Sequence, residues 1–278
     1  MRGTLFLVST PIGNLEDISL RALDVLRTAD VIACEDTRHT GKLLKHFEIS
    51  GKLISFHEHN ENSRVSEFIS LIEAGRSIAV VSDAGTPGVA DPGFRLVKTA
   101  REAGIELVPI PGATAFVSAV TISGLPTDSI FFGGFLPSKK NERIKRLKET
   151  ASIPATLCFY ETPHRISKSL EDCLNVLGNR KAAVVREMTK LHEETVCGDL
   201  LSLTDKFSGA VTKGEIVLVI DREAADDVRP ADSSSIIDRV EELKQTGIDQ
   251  KKALKLAAKE FGISRSEAYR LIQAEKDN

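Results

Sequence analysis

Residues 78–96 read IAVVSDAGTPGVADPGFRL. The run Ile78–Val81 is apolar at every position, the pattern of a strand covered on both faces rather than on one. The next twelve residues, 82–93, hold three glycines, two prolines and the aspartates Asp83 and Asp91, and a helical pattern then begins at Phe94. A buried strand that empties into a helix through a loop of small residues belongs to a parallel α/β sheet. In such sheets ligands bind in the crevice beyond the carboxyl ends of the strands. Small residues there let a planar ligand lie on the backbone, whose N–H and C=O groups read its edge. The loop has no lysine after its glycines, which argues against a nucleotide phosphate cradle, and its spacing is not G-x-G-x-x-G.

The same pattern extends on either side. Leu5–Ser9, Val31–Cys34, Leu53–Phe56 and Ile105–Ile110 are further apolar runs, separated by helical patterns at Leu20–Thr28, Thr37–Phe47, Ser66–Ala74 and Phe94–Ala103. This predicts an α/β domain over residues 1–123 with a parallel sheet. A second, mixed α/β domain is predicted over 124–222. Its strands are Ile130–Leu136, Ala155–Tyr160, Ala182–Val185 and Ile216–Ile220, and its two long helices lie near 138–150 and 164–177. Glu193–Leu203, EETVCGDLLSL, shows no helical break and is assigned to antiparallel strands. A polar linker, 223–235, then leads to a helical domain at 236–278. Ile236, Ile237, Val240 and Leu243 line its first helix and Ala253, Leu254, Leu256, Ala257 and Phe261 its second. Gly262 and the capping box Ser264-x-x-Glu267 suggest a helix-turn-helix.

At 278 residues, 41% apolar and 28% charged, the composition is that of an ordinary globular protein. No apolar run approaches the roughly 20 residues that span a bilayer, and the N-terminal run enters a Pro-Gly turn, unlike a signal peptide. The expected location is the cytoplasm, with no membrane partner. Cys34, Cys158, Cys173 and Cys197 are widely spaced and are expected to be reduced and buried. His57-Glu58-His59 lacks metal-ligand spacing, so no metal is expected. A net charge of −3 excludes an unselective polyanion binder. Positive charge is concentrated in two places: Lys139, Lys140, Arg143 and Arg146 on the helix near 138–150, where Ile144, Leu147 and Ala151 form the buried stripe, and Lys251, Lys255 and Lys259 further on. Such stripes track phosphates without reading sequence, and a merely solvated face is their usual alternative.

Several loops repeat the design of the first. TPIGNLEDIS (10–19), EDTR (35–38) and PGATA (111–115) each follow a strand of the first domain, and YETPHR (160–165) follows one of the second. Polar strand-end loops in both halves place a site in the cleft between them.

Together with FHEHNE (56–61), these segments resemble the tetrapyrrole (class III) methylase fold, and within it the branch that methylates small-subunit ribosomal RNA. The resemblance covers residues 3–222, and the C-terminal helices match that branch too. It implies S-adenosylmethionine bound between two α/β domains, a homodimer, and methylation of the ribose 2′-oxygen of a cytidine in the decoding region of 16S rRNA, on the small subunit. It also implies cofactor contacts from Pro11, from Ala84, Gly85, Thr86 and Val89, from Thr114 and Ala115, and from Tyr160 and Met188. The family's loop aspartate is Thr86 here, so Asp83 or Asp91 stands in for it, or nothing does. A hydroxyl nucleophile needs a proton acceptor, for which Asp36 and Glu161 are candidates, with Arg38 orienting a phosphate or the base. A helix cap for Asp36 and an ion pair for Glu161 are the competing roles. Two other functions fit the same pattern: a corrin or porphyrin methylase, against which the basic helices weigh, and a non-catalytic RNA-binding or assembly factor.

Overall fold

The computed structural model describes residues 2–209, 213–222, 233–245, 248–260 and 268–270. The first sheet is made of β1 (Thr4–Val8), β2 (Val31–Cys34), β3 (Leu53–Ser55), β4 (Ile78–Val81) and β5 (Glu106–Ile110), in the order β3-β2-β4-β1-β5, with all pairs parallel. Its helices are α1 (Leu20–Thr28), α2 (Thr37–His46), α3 (Glu61–Glu73), α4 (Phe94–Glu102) and α5 (Ala115–Ile122). Strand side chains alternate between faces. Ile78 and Val80 accordingly pack with Phe68, Ile72 and Leu96 of α3 and α4, while Ala79 and Val81 pack with Leu23, Leu26 and Leu44 of α1 and α2. Both faces are covered, which is why β4 is apolar throughout. The helix α3 starts at Glu61, earlier than the expected Ser66. There the Asn60 side chain accepts from the His57 N–H (2.9 Å) and braces the turn.

The second sheet has the order β6-β7-β10-β8-β9, built from β6 (Ile130–Phe135), β7 (Thr156–Glu161), β8 (Lys181–Arg186), β9 (Glu194–Asp199) and β10 (Ile216–Ile220). Only β6 and β7 run parallel; the other pairs are antiparallel. The helices α6 (Lys140–Thr150), α7 (Ile166–Leu177) and α8 (Leu200–Phe207) belong to one face. The opposite face packs on α5, where Ala119 and Val120 meet Cys158, Val217 and Val219. Both sheets lie in one compact unit, Met1–Glu223.

Other expectations need correction. Glu193–Leu203 is not all strand: β9 ends at Asp199, whose carboxylate accepts from the Ser202 N–H (2.8 Å) while Ser202 Oγ accepts from the Asp199 N–H (3.0 Å). That reciprocal cap starts α8, and Leu200, Leu203 and Phe207 turn inward at helical spacing. Cys197 is exposed on the edge strand, whereas Cys34, Cys158 and Cys173 are buried. Arg143 does not sit on the outer face of α6. It is 4% exposed, with Nη2 and Nε on Asp172 Oδ2 at 2.6 and 2.8 Å, and its Nη1 donates to the Pro137 and Ser138 carbonyls. With Arg143 inside, Ile144 is only half-buried.

The second unit spans Ala224–Asn278. In it α9 (Ser233–Gln245) and α10 (Gln250–Glu260) bury Ile236, Val240 and Leu243 against Ala253, Leu254 and Ala257. The serine run assigned to the linker opens α9 instead. Lys251 and Lys255 are exposed on α10. Gly262 and the Ser264–Glu267 capping box lie outside the described residues. No helix among the described residues is long and apolar enough to cross a membrane.

Removing one partner of a buried ion pair strands the other in low dielectric. Asp172→Ala should therefore lower unfolding free energy by about 3–5 kcal/mol, read as a fall in the urea midpoint. The double replacement Arg143→Met, Asp172→Leu should recover most of it. A surface pair would give less than about 1 kcal/mol for the single change.

Candidate functional site

The carboxyl edge of the first sheet carries three loops, and they are fastened to one another. After β1, the Thr10 N–H donates to the Gly85 carbonyl (2.9 Å) and the Gly85 N–H donates back to Thr10 (3.1 Å), so the first loop pairs with the one after β4. Thr10 Oγ1 donates to the Ser82 carbonyl (3.1 Å). A line of hydroxyls then crosses all three loops: Ser9 Oγ lies 3.0 Å from Thr86 Oγ1, and Thr86 Oγ1 lies 2.9 Å from Thr114 Oγ1. Gly85 adopts φ +84°, which a residue with a side chain resists. Ala90 is held at φ +64° just before Asp91, a strained position of the sort that concentrates at functional loops.

These loops face the ends of the second sheet's strands across a cavity of about 370 Å³, within the roughly 300–1,000 Å³ of small-ligand sites. Of the expected cofactor residues, Asp83, Ala84, Gly85, Thr86, Val89, Thr114, Ala115, Tyr160 and Met188 all line it. Pro11 does not. It is buried in the wall of a neighbouring cavity of about 280 Å³, which shares Ile12, Asp83, Ala84 and Glu215 with the first. Sequence reasoning missed Ile12, Phe135, Val185 and the segment Gly214–Val217, which also line the larger cavity. Gly214–Val217 left no local sign of a site, because β10 begins there as a plain apolar strand.

The larger cavity is acidic. Its described lining includes Asp83, Asp91, Glu161 and Glu215 and no Lys, Arg or His. Burial, reinforced by the nearby Glu35 and Asp83 charges, raises Asp91 to about 6. Glu35 is raised as well, chiefly by burial. The Tyr160 phenol, edge-on to Phe132 and Phe135 with centroids at 4.9 and 5.4 Å, is pushed by burial to about 12 and stays neutral.

The three residues expected to do chemistry are not brought together. Asp36 caps α2, accepting from the Arg38 N–H (2.8 Å), and its carboxylate grips the Arg38 guanidinium at 2.8 and 3.1 Å. Those bonds hold it far below the usual carboxylate range. Neither Asp36 nor Arg38 lines either cavity. Glu161 does line the larger one, but Oε1 accepts from Ser169 (3.0 Å) and Oε2 from Arg165 (2.9 Å), with its side chain 0% exposed. Burial raises its pKa against the pull of Arg165.

Ser9→Ala and Thr86→Val should each destabilise the protein by about 0.5–1.5 kcal/mol, and the double variant by clearly less than the sum. Denaturant melts of the four proteins measure this. Strict additivity would mean that the hydroxyl line does not act as a unit.

A family of tetrapyrrole (corrin/porphyrin) methylases matches residues 4–204. Ribosomal RNA small subunit methyltransferase I of Halalkalibacterium halodurans is 45% identical over 99% of this chain and 96% of its own length. The protein of the same name from Escherichia coli O157:H7 is 43% identical over 97% and 94%. Among solved structures, diphthine synthase superposes with a TM-score of 0.62 at 16% identity, covering 79% of this chain and 90% of that one. Uroporphyrin-III-C-methyltransferase from Thermus thermophilus gives 0.56 at 22% identity over 78% and 94%. At those identities the superpositions establish the fold alone.

Proposed function

The chain belongs to the tetrapyrrole (corrin/porphyrin) methylase family, and from that membership we propose that it moves a methyl group from S-adenosylmethionine to the ribose 2′-oxygen of a cytidine in the decoding region of small-subunit ribosomal RNA. Its setting is the cytoplasm, its substrate is the rRNA within the small ribosomal subunit, and the working form is a homodimer. The observation that carries the reading is the larger cavity between the two sheets. Its charged groups are all carboxylates among the described lining residues, which suits a ligand bearing a sulfonium and an ammonium group. RNA as acceptor rests on the relatives' names over nearly the whole chain.

The residues present fit that cofactor. Asp83 and Glu215 offer negative charge, Thr86 and Thr114 offer hydroxyls, and Tyr160 with Phe135 offers aromatic surface for a purine. The small residues Ala84, Gly85 and Ala115 leave room for it, and Val89 and Met188 close the apolar wall. When bound, the sulfonium supplies the electrophilic methyl carbon. The protein's task is then to hold the hydroxyl in line and keep water out. Ile12, Val217 and Met188, all nearly inaccessible, form the dry side. A proton must also leave the hydroxyl. Asp36 is committed to Arg38 and both Glu161 oxygens are taken, so we assign the proton to the Asp91 carboxylate, which lines the cavity and which burial raises to about 6. Arg38, at 87% side-chain exposure and paired to Asp36, remains an outer phosphate contact at most. Lys139 at the start of α6, Lys140 and Arg146 on it, and Lys251 and Lys255 on α10 are assigned to phosphates, and Arg143 is withdrawn from that set because it is buried.

Small subunits incubated with the enzyme and a labelled methyl donor should incorporate label at one nucleotide that resists alkaline cleavage, since a methylated 2′-oxygen cannot attack the adjoining phosphate. Label on a base, or on a tetrapyrrole instead, would overturn the reading.

The value of kcat/KM should fall as pH drops below about 6, where Asp91 becomes protonated and can no longer accept the proton. Asp91→Asn should abolish that inflection and reduce kcat by roughly 10²–10⁴-fold. Stability carries a matching sign. Folded Asp91 holds its proton up to about 6, against 3.8 ordinarily, so its ionisation destabilises the fold as pH rises across that window. Thermal melts of Asp91→Asn should therefore fall less than wild type between those pH values.

A further inference from the structure

The smaller cavity differs from its neighbour in charge. His39 and Lys42 reach it from α2 and Lys190 from the loop after β8, beside Pro11 and Gly13. Lys42 is exposed and forms no ion pair among the described residues. Lys190 is bound to Glu187 (3.0 Å) and Glu215 (3.3 Å), so it fixes the wall while Lys42 stays available. The wall is closely fitted. A Cβ at Gly13 would lie 2.6 Å from Thr189 Oγ1 and 2.9 Å from the Met188 carbonyl, and the Asn14 N–H donates to Thr189 Oγ1 (3.0 Å). Glu187 and Thr189 are held at φ +50° and +64°, which turns the loop against the first one.

We propose that this smaller cavity receives the phosphodiester attached to the target ribose, with Lys42 and His39 as its donors. The inference rests on the ribose 2′-oxygen as acceptor. In a ribonucleotide the carbon bearing the 2′-hydroxyl adjoins the carbon bearing the 3′-phosphate, so placing one group fixes the neighbourhood of the other. The acidic cavity repels a phosphate; the smaller one shares Asp83 and Glu215 with it but adds the Lys42 ammonium, which has no ion-pair partner among the described residues, and the attraction for a phosphate lies there. The partition sets the register. The hydroxyl can face the methyl site only while the phosphate lies on the Lys42 side.

The test uses the full-length enzyme, small subunits as substrate, and the variants Lys42→Gln, Lys42→Arg and His39→Gln. Lys45→Gln serves as a control, because it makes the same charge change on an exposed part of α2 that does not line the cavity. Lys42→Gln should raise KM for the RNA at least about tenfold and reduce the salt slope of RNA binding by about one. His39→Gln should act in the same direction, Lys42→Arg should retain most activity, and Lys45→Gln should behave as wild type. Cofactor affinity, by calorimetry with S-adenosylmethionine alone, should stay within about twofold of wild type. A loss of cofactor affinity in Lys42→Gln would show that the cavity holds the cofactor's carboxylate and would overturn the proposal. So would an unchanged KM and slope, or an equal effect from Lys45→Gln. Failure of the underlying reading looks different: the wild-type enzyme itself would place no methyl on a ribose.

Discussion

A row of hydroxyls, Ser9, Thr86 and Thr114, holds the site together. Parallel strands end at one edge of their sheet, and the loops leaving them tend to splay toward separate helices. Here the hydroxyl row and the two-way bridge between Thr10 and Gly85 stop that divergence and turn three loops into one wall. The wall needs its glycine. Gly85 at positive φ turns its carbonyl toward Thr10, and only then can Thr86 reach both neighbours. Thr86 serves as a strut between Ser9 and Thr114. The carboxylates of the loop, Asp83 and Asp91, lie on either side of it along the chain.

That wall separates two chemistries. A methyl donor of this class is cationic and an RNA acceptor is a polyanion, so a cleft of uniform charge would welcome one and repel the other. Carboxylates alone supply the charge along the described lining of the larger cavity, while lysine and histidine reach the smaller one. Asp83 and Glu215 stand in the shared wall and line both cavities, so the difference in charge comes from the Lys42, Lys190 and His39 side chains added on the far side.

Much of this was legible in the sequence because it was local. The β4 run and the small residues after it announced a buried parallel strand and a loop that lines a cavity, and nine of the ten residues named from the sequence line the larger cavity. Tertiary contacts, and local bonds that compete with the apparent role, defeated the rest. Arg143 looks like any other cation on a basic helix until Asp172, on the next helix, draws it inward. Asp36 and Arg38 look like a catalytic pair but satisfy one another at the start of α2. Asp91 carries no distinguishing mark in the chain. Its poise depends on burial, on Glu35 at the end of β2 and on Asp83 earlier in its own loop. The helix α8 was hidden because a strand residue, Asp199, doubles as its cap.

The packing of α5 bears on heredity as much as on stability. This helix comes after the last strand of the first sheet, yet its buried residues, Ala119 and Val120, rest on Cys158, Val217 and Val219 of the second. The seam visible in the sequence is therefore not a line along which the molecule can be divided. A gene fragment ending at Ser123 would encode a helix with no floor beneath it, and the remaining fragment a sheet with one bare face. Recombination at that seam would yield two insoluble pieces. Such a constraint makes the two sheets descend as one module.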